Sequence, residues 1–331
     1  MARPRSAHVA EVKNALIARL RGRFRLPGDR FLSARAIASQ FPVSYQTAHR
    51  LLVELEAEGF LRRKPSKGTF VPGESEPLDR VQFVFHPRSL RPDSFGARLF
   101  DEVAAVCSDR GIEWIRSGGE HGLRLMPGHF PIIWEMPEAV RMVVEERRFA
   151  LLLNQAPPLG LGGACIDALS CDDRSGGAWA AQYLRHVCGP AARLVFLGGP
   201  ESDPRNRRRA EGFLHEESGA DLIHSGGWYF ENGLAHVSRV TSLQPDGVFG
   251  ANDRLAEAVL HHFREEGRPS PRVVGFDDAP VAAALDLTTV GLPWRTLAET
   301  AADVAEDRLA GQRRPARHVV LPHRVVVRAS A

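Results

Sequence analysis

Residues 32–71 read LSARAIASQFPVSYQTAHRLLVELEAEGFLRRKPSKGTFV, a pattern typical of two helices followed by a hairpin. Ser44 is a good N-cap for the second helix. The apolar face of that helix, at i, i+3, i+4, i+7 spacing, consists of Ala48, Leu51, Leu52 and Leu55. The basic segment 62–68 lies between the apolar runs 60–61 and 69–71, which predicts a two-stranded wing. A helical hairpin that only packs would leave this basic turn without a role.

The polar face of the second helix is the predicted nucleic-acid contact. Near its N-terminus this face carries Tyr45, Gln46, His49 and Arg50. The end of a helix with such side chains fits the major groove of DNA. In the wing, Lys64 and Lys67 can lie along phosphates.

The charge of the chain is divided unevenly. Residues 1–72 hold 14 Lys and Arg against 5 Asp and Glu, a balance of +9, whereas the remainder carries −6 of the total of +3. A basic head on a mildly acidic body indicates that the head meets a polyanion. Together with the helices and the wing, this charge favours double-stranded DNA as a partner.

Composition limits the class of protein. A chain of 331 residues, 44% apolar and 25% charged, predicts a globular protein of two or three units. It shows no apolar run of membrane-spanning length and no secretion signal, so we expect a cytoplasmic protein. The four cysteines show neither a CxxC pair nor metal spacing, and we expect reduced thiols and no metal.

After a polar, Pro-containing stretch at 73–79, which predicts a linker, strands and helices alternate. The predicted strands are 81–85, 112–115, 131–134, 149–153, 193–197, 247–249 and 272–276. The predicted helices are 95–110, 139–148, 176–186 and 253–266. This alternation indicates an α/β class with parallel sheets covered by helices. Residues 116–130 give no clear pattern.

The head resembles the winged helix-turn-helix of the gluconate-repressor (GntR) family. Residues 8–20 add a first helix, and the LPGDR turn, the LSARAIA helix and the GTFV wing match over nearly all of residues 8–71. The resemblance implies DNA contacts from Arg35, from the start of the second helix and from the wing glycine. The resulting set of expected DNA-binding residues is Arg35, Ser44, Tyr45, Gln46, Thr47, His49, Arg50, Lys67 and Gly68.

The body resembles the ligand-binding half of the lac-repressor/galactose-repressor family, which has the two-lobed fold of periplasmic sugar-binding proteins. The matching segments are DDRSGGAWAAQYL (172–184), RLVFLGGPE (193–201), RRAEGF (208–213), PDGVFGANDRLAEAVL (245–260), VVGFDDAP (273–280) and LTTVGLPW (287–294). The expected domains are therefore 1–72 for the head and 80–331 for the body. Lobe 1 is expected at about 80–170 and 289–316, and lobe 2 at about 171–288 and 317–331.

Ligands of such α/β sheets lie at the carboxyl ends of the strands, in a cleft between two lobes. On the first lobe the strand ends place His86, Glu135 and Asn154 there. On the second lobe, the resemblance implies that Arg209, Asn252 and Asp277 bind hydroxyl groups and that Trp228 stacks on a sugar ring. A polyol needs such polar partners and such an apolar plate.

Each residue of the second lobe also has a structural interpretation. Asp277 can cap the segment that follows it, and Asn252 can serve only as an N-cap. Arg209 lies in a basic run, 205–209, that can be a solvated face, and Trp228 can be a core residue. These alternatives stay open at the level of sequence.

Enzyme motifs are scarce. The chain has no P-loop, no G-x-S-x-G and no H-E-x-x-H motif, and the segment LGLGGA (159–164) does not follow the dinucleotide fingerprint. A pyridoxal-phosphate body would need a Schiff-base lysine, but the lysines are only Lys13, Lys64 and Lys67. We therefore expect no enzyme and no cofactor.

Taken together, the head and the body predict a ligand-responsive regulator of transcription. We expect a homodimeric repressor of carbohydrate-utilisation genes that responds to a small sugar or sugar derivative. The alternative is a sensory or solute-binding module of the same fold that acts through protein contacts, with the head as a pairing device. A third class, a sugar-modifying enzyme, lacks an acid/base pair.

Overall fold

The computed structural model describes residues 5–20, 28–72, 77–92, 94–117, 123–157 and 165–331, without the side chains of residues 5–7. The chain divides into two compact units. Unit 1 comprises Met1–Ser89, Phe100–Ser170 and Ala298–Val319. Unit 2 comprises Leu90–Leu99, Cys171–Leu297 and Val320–Ala331. Each is considered by itself below.

The head, within unit 1, has three helices and a two-stranded antiparallel sheet. Its elements are α1 (Arg5–Leu20), α2 (Ala34–Gln40), α3 (Tyr45–Ala57), β1 (Arg62–Lys64) and β2 (Gly68–Phe70). The predicted apolar face of α3 is fully buried, together with Leu16 of α1 and Ile37 of α2. Ser44 caps α3, because its Oγ accepts a hydrogen bond from the Thr47 amide at 3.1 Å. The head therefore has its own apolar core.

The hairpin of the head begins later than predicted. The strands are Arg62–Lys64 and Gly68–Phe70, so most of the basic segment expected in the turn is strand. Leu61 is buried in the core of the head, and the Phe60 amide donates to the Leu55 carbonyl at the end of α3. Since residues 60–61 close the helix, they cannot also form the ribbon, and the basic residues take that place.

The sheet of the first unit has six strands in the order β13-β7-β6-β5-β3-β4. These strands are β3 (Arg80–Phe85), β4 (Trp114–Ser117), β5 (His129–Trp134), β6 (Ala150–Leu153), β7 (Ile166–Cys171) and β13 (His318–Leu321). The pairs β3–β4, β3–β5, β5–β6 and β6–β7 are parallel. Of the 22 residues in β5, β6, β7 and β3, nearly all are buried, as expected for strands covered on both faces.

The sheet of the second unit also has six strands, in the order β14-β12-β11-β10-β8-β9. They are β8 (Leu194–Gly198), β9 (Asp221–His224), β10 (Gly247–Gly250), β11 (Arg272–Asp277), β12 (Thr288–Gly291) and β14 (Arg324–Val326). All pairs are parallel except β12–β14. The α/β class with parallel sheets is thereby confirmed.

The remaining helices follow the strands along the chain. They are α4 (Phe95–Asp109), α5 (Pro137–Glu146), α6 (Asp173–Cys188), α7 (Pro204–Glu216), α8 (Phe230–Leu234), α9 (Val237–Ser242), α10 (Asp253–Glu265), α11 (Pro280–Ala284) and α12 (Trp294–Leu309). No described helix is long and apolar enough to cross a membrane.

Near its C-terminal end the chain passes from one sheet to the other at residues that differ from the approximate lobe bounds given above. Strand β12 belongs to the second sheet through Gly291, and β13 belongs to the first sheet as far as Leu321. The chain thus leaves the second sheet after residue 291 and returns to it with β14 at Arg324. Sequence alone does not mark these points, because the strands on either side have similar apolar patterns.

Some sequence interpretations fall outside the described residues. They are residues 73–76 of the predicted linker, 118–122 of the stretch without clear pattern, 159–164 of the Gly-rich segment and 26–27 of the LPGDR turn. The described segment 123–128 contains no helix. It is held by Gln82, whose Nε2 donates to the Arg124 carbonyl at 2.7 Å and whose Oε1 accepts from the Met126 amide at 2.8 Å.

Candidate functional site

A buried ion cluster lies at the carboxyl ends of the strands of unit 2. Arg209 of α7 is only 3% exposed, and its Nε donates to Asp173 Oδ1 at 2.8 Å. Its Nη1 donates to the Ala251 carbonyl and lies 3.6 Å from Asp277 Oδ1. Its guanidinium lies 3.6 Å from the centre of the Phe276 ring. The solvated-face interpretation of Arg209 is therefore wrong: this arginine turns inward and joins the ends of α6, β10 and β11.

Asp277 has a strained backbone and an unsatisfied oxygen. It ends β11 with φ of +107°, a region that residues other than glycine rarely adopt. Its Oδ1 is buried and has no hydrogen-bond partner among the described residues. Burial raises the pKa of this carboxyl to about 7, although the nearby charge of Arg209 acts in the opposite direction. Such a group gains from a ligand that brings a hydrogen-bond donor.

A second buried carboxyl, Asp253, was not among the predicted site residues. Its Oδ1 accepts from the Thr289 hydroxyl at 2.6 Å, and its Oδ2 accepts from the Ala279 amide at 2.7 Å. Burial and the charge of Asp277 raise the pKa of Asp253 well above its ordinary value. Asp253 holds the 277–279 turn against β12. In the sequence it looks like any acidic residue in the first turn of a helix, so no local pattern identifies this role.

Trp228 lies in the loop after β9, where it is partly buried. Its indole Nε1 donates to Asp203 Oδ2 at 3.1 Å. The ring lies against Gly199, where an added Cβ would be 2.7 Å from the indole Cδ2. The guanidinium carbons of Arg209 and Arg205 are 5.6 and 5.8 Å from the ring centre. The structure thus brings Trp228 and Arg209 together, as predicted for one site.

Asn252 serves as a cap and as a clamp. Its Oδ1 accepts from the Leu255 amide at 2.9 Å, which caps α10, and its Nδ2 donates to the Trp228 carbonyl at 2.8 Å. The N-cap interpretation of Asn252 is therefore correct in part, since the same side chain also fixes the loop that carries the tryptophan. One amide hydrogen and one lone pair remain for a ligand.

His323 is another buried group that the sequence did not single out. Its ring lies 4.7 Å from the ring of Phe276, centre to centre. Burial lowers the pKa of His323 to about 4, with the charge of Arg209 acting in the same direction. The imidazole is thus neutral at pH 7 and adds no charge beside the Arg209–Asp173 pair.

In unit 1, two of the three predicted residues share a neighbour. Arg88 forms an ion pair with Glu135, and the Arg88 amide donates to His86 Nδ1 at 3.2 Å. His86 is exposed, whereas Asn154 is only 4% exposed and its Nδ2 has no hydrogen-bond partner among the described residues. Glu135 and Asn154 directly follow β5 and β6, with φ of +51° and +53°. Like Asp277, both residues have a positive φ at the carboxyl end of a strand.

In the head, the predicted DNA-contacting side chains are largely solvent-exposed. Arg35, Tyr45, Gln46, His49, Arg50 and Lys67 are exposed, whereas Thr47 and Gly68 are partly buried. Tyr45 is 56% exposed, a large value for an aromatic side chain. Ser44 and Thr47 also share a hydroxyl contact of 3.0 Å, which uses both side chains at the helix start. His49 Nε2 lies 3.1 Å from Arg63 Nη2 of the wing, a contact not evident from sequence.

The described residues contain no group of three or more His, Cys, Asp and Glu side chains that could hold a metal ion. Cys107, Cys165, Cys171 and Cys188 form no disulfide with one another. Burial raises the pKa of Cys107 and Cys165 to about 11 and that of Cys171 to about 12, so these thiols stay protonated at neutral pH.

Comparison with known proteins gives a consistent result for the body. Residues 190–331 match the family model of the periplasmic binding protein-like domain. The transcriptional regulator DegA of Bacillus subtilis is 27% identical over 202 residues, which cover 58% of this chain and 59% of DegA. The ribose operon repressor of the same species is 28% identical over 146 residues, 41% of this chain and 44% of the repressor. The chain thus spans about half the length of these curated relatives.

Solved structures extend the comparison. A LacI-family regulator from Enterococcus faecium with bound ribose has a TM-score of 0.63 at 21% identity and covers 76% of this chain and 98% of its own. The regulator CelR in complex with cellobiose has a TM-score of 0.65 at 21% identity over 99% and 100% of the two chains. The family model begins at residue 190, so the type of head is still a prediction. The two parallel-sheet units have the periplasmic-binding-protein-like fold found in these LacI-family structures.

Proposed function

We propose that the protein is a ligand-responsive, DNA-binding regulator of transcription, a repressor of carbohydrate-utilisation genes that a small sugar-like effector releases or modulates. In this proposal residues 1–72 are a winged helix-turn-helix domain of the gluconate-repressor type, 73–79 a linker and 80–331 the ligand-binding domain. The observation that carries it is the presence, in one chain, of a basic head with an exposed helix end and a buried ion cluster with an unsatisfied carboxylate oxygen.

The head supports binding to double-stranded DNA. The start of α3 presents Tyr45, Gln46 and His49 to solvent, while its apolar face is used up in the core of the head. The wing adds Lys67 and Gly68 beside further basic residues. Hydrogen-bonding side chains at the end of a helix suit base edges, and cations of the wing suit phosphates.

The cluster in unit 2 supports a polyol as effector. Asp277 offers an acceptor without a partner, Asn252 retains part of its hydrogen-bonding capacity, and Trp228 offers ring surface. A sugar supplies hydroxyl donors for the first two and C–H groups for the third. The ribose and cellobiose held by the structural relatives belong to this class. Asn154, Glu135 and His86 are proposed as further contacts.

Regulation follows if the effector binds the DNA-competent and DNA-incompetent states with different affinity. A coupling of about 1–3 kcal/mol changes operator affinity about 5–150-fold. We propose a homodimer, since two heads reading two half-sites of a palindrome match the two-fold symmetry of such operators.

The test combines a gel shift with a thermal-shift screen. The full chain should retard a specific genomic fragment, and at least one member of a sugar library should raise its melting temperature and change this retardation. Asp277→Ala should lose the response to that sugar while its DNA affinity is unchanged. Asp109→Ala, at an exposed site on α4, is the matched control and should respond normally.

Two outcomes would contradict the proposal. A chain that binds sugars but no DNA would be a solute-binding or sensory module. An Asp277→Ala variant that responds like the intact chain would show that the effector binds elsewhere.

A further inference from the structure

The loop that carries Trp228 is anchored on every side. Ser225 Oγ lies 2.8 Å from the Gly198 and Gly227 carbonyls, and its single hydroxyl hydrogen can be donated to either of them. Asn252 donates to the Trp228 carbonyl at 2.8 Å, and Asn232 Oδ1 accepts from the Tyr229 amide at 3.1 Å. These bonds fix the backbone of the loop. They do not fix the indole, which can still turn about its side-chain torsions.

Asp203 supplies a hydrogen bond to the indole, in addition to the packing of the ring against Gly199. It is the N-cap of α7, and its Oδ1 accepts from the Arg205 amide at 2.9 Å and from Arg205 Nε at 3.1 Å. Its Oδ2 accepts from Arg205 Nη2 at 2.7 Å and from Trp228 Nε1 at 3.1 Å. The carboxylate thus joins the start of α7, the fork of Arg205 and the edge of the tryptophan.

The charge state of Asp203 suits this role. Burial alone would raise its pKa, but the hydrogen bonds and the charge of Arg205 outweigh burial and lower the pKa to about 2. The group is therefore an anion throughout the physiological range, and a hydrogen bond from the indole to an anion is stronger than one to a neutral acceptor.

We propose that Asp203 is a positioning residue of the effector site, which holds the indole of Trp228 by its N–H so that the ring offers only its apolar surface to the ligand. The N–H of Trp228 is then not a donor for the effector. The class of ligand that fits is one with an exposed C–H face, as in a pyranose or furanose ring, and not one that needs a donor at this point. This inference rests on the proposed sugar-binding function.

The first test needs no ligand. The chain has five tryptophans, so the amide spectrum of the ¹⁵N-labelled full chain should show five indole cross-peaks, of which Trp228→Phe removes one. In Asp203→Ala that cross-peak should move upfield in the proton dimension and exchange faster with solvent, while the other four stay in place. Asp203→Asn keeps the size of the side chain and a good N-cap, and should move the cross-peak in the same direction by less. A cross-peak unmoved in both variants would overturn the proposal.

The second test measures sugar binding with D-ribose, D-xylose, D-glucose, D-galactose and cellobiose as probes. Loss of a stacked ring should weaken the binding of the best probe about two- to tenfold in Asp203→Ala. In a Trp228→Phe background the same substitution should cost less, because the N–H is already gone, whereas the effect of the freed Arg205 is present in both backgrounds. Equal losses in both backgrounds, or no loss at all, would overturn the positioning role.

A failure of the proposed sugar-sensing function can be distinguished from a failure of the positioning role of Asp203. If none of the five probes binds the intact chain, sugar sensing is contradicted for these sugars, and the indole cross-peak still decides whether Asp203 orients Trp228. Unchanged indole cross-peaks of Trp179 and Trp294, which also lie in unit 2, confirm that a loss of sugar binding in Asp203→Ala is not a loss of fold.

Discussion

Gly177 of α6 lies directly against the backbone of Arg209 in α7, so close that a Cβ at position 177 would be 2.1 Å from the Arg209 carbonyl oxygen. The reverse contact has the same character, since a Cβ at Gly212 would be 1.9 Å from the Arg174 carbonyl oxygen. The two helices thus approach each other through glycines. This approach places Arg209 beside Asp173 at the start of α6, where the 2.8 Å ion pair forms.

We predict that Gly177→Ala destabilises the protein. The added methyl group would clash with the backbone of Arg209, so α6 and α7 would have to move apart. Overpacking of this kind costs about 1–3 kcal/mol in the free energy of unfolding. The measurement is a urea titration followed by circular dichroism. Gly219→Ala is the matched control, since nothing lies within 4 Å of a Cβ there. Equal stability of the two variants would contradict the close contact.

The pH dependence of stability should show the buried carboxyl of Asp277. Its pKa is raised from 3.8 to about 7 in the folded protein, so between these values the native state holds a proton that the unfolded state has released. Stability contributed by the protonated form is therefore lost as pH rises through this window. We expect the free energy of unfolding to fall between pH 5 and pH 8, and to fall less in Asp277→Asn.

The control for this prediction is Asp109→Asn, at an exposed site on α4. It should follow the wild-type profile. Part of the fall should persist in Asp277→Asn, because the pKa of Asp253 is raised as well. Urea titrations at pH 5 and pH 8 measure the change in the free energy of unfolding. An equal change in Asp277→Asn and in the wild type would show that Asp277 is not protonated on folding.

The sequence predicted seven of the twelve strands in the two six-stranded sheets, but few of the contacts between elements. Asn252 and Asp277 lie at the ends of strands with strong patterns, so their positions could be predicted, whereas Arg209 lies within α7 and was indicated only by the family resemblance. Asp203 and Asp253 act through partners 25 and 36 residues away, which no periodicity reveals. Asp203 precedes Pro204, a signal for a helix start, and that signal could have identified the cap but not the bond to Trp228.

Two other differences have the same origin. The hairpin of the head begins later than predicted because Leu61 was read as strand and is core. The crossing points near residues 291 and 321 were misplaced because β12, β13 and β14 are short and similar in composition. In each case the local sequence pattern was compatible with more than one structure, and tertiary packing determined which one formed.

The salt dependence of DNA binding should reveal the contribution of the wing. Each phosphate contact releases counterions, and loss of one contact should reduce the slope of log K against log salt by about 1. We expect this reduction for Lys67→Ala on a random-sequence duplex, measured by fluorescence anisotropy between low and physiological salt. Arg141→Ala, an exposed cation of the body, should leave the slope unchanged. A slope that responds to Arg141 and not to Lys67 would place the DNA on another surface.

The core of unit 1 contains a buried ion pair, and removal of one partner should cost much of the free energy of unfolding. Arg308 is fully buried, and its Nε and Nη2 donate to Asp167 Oδ2 at 2.9 and 2.7 Å. Asp167 Oδ1 accepts from Arg314 Nη1 at 2.8 Å and from the Arg317 amide at 2.9 Å. The carboxylate therefore connects β7 to α12 and to the segment that leads into β13.

Asp167→Asn should leave the Arg308 charge buried without its counter-charge, at a cost of about 3–5 kcal/mol in the free energy of unfolding. Asp221→Asn breaks an exposed pair with Arg193, 3.1 Å apart, and should cost less than about 1 kcal/mol. Replacement of both partners, Asp167→Asn with Arg308→Met, should recover part of the loss, since the uncompensated charge is then removed. Urea titrations of the three variants measure these differences. A loss at Asp167 no larger than that at Asp221 would mean that water reaches Arg308 and that the pair is not buried in solution.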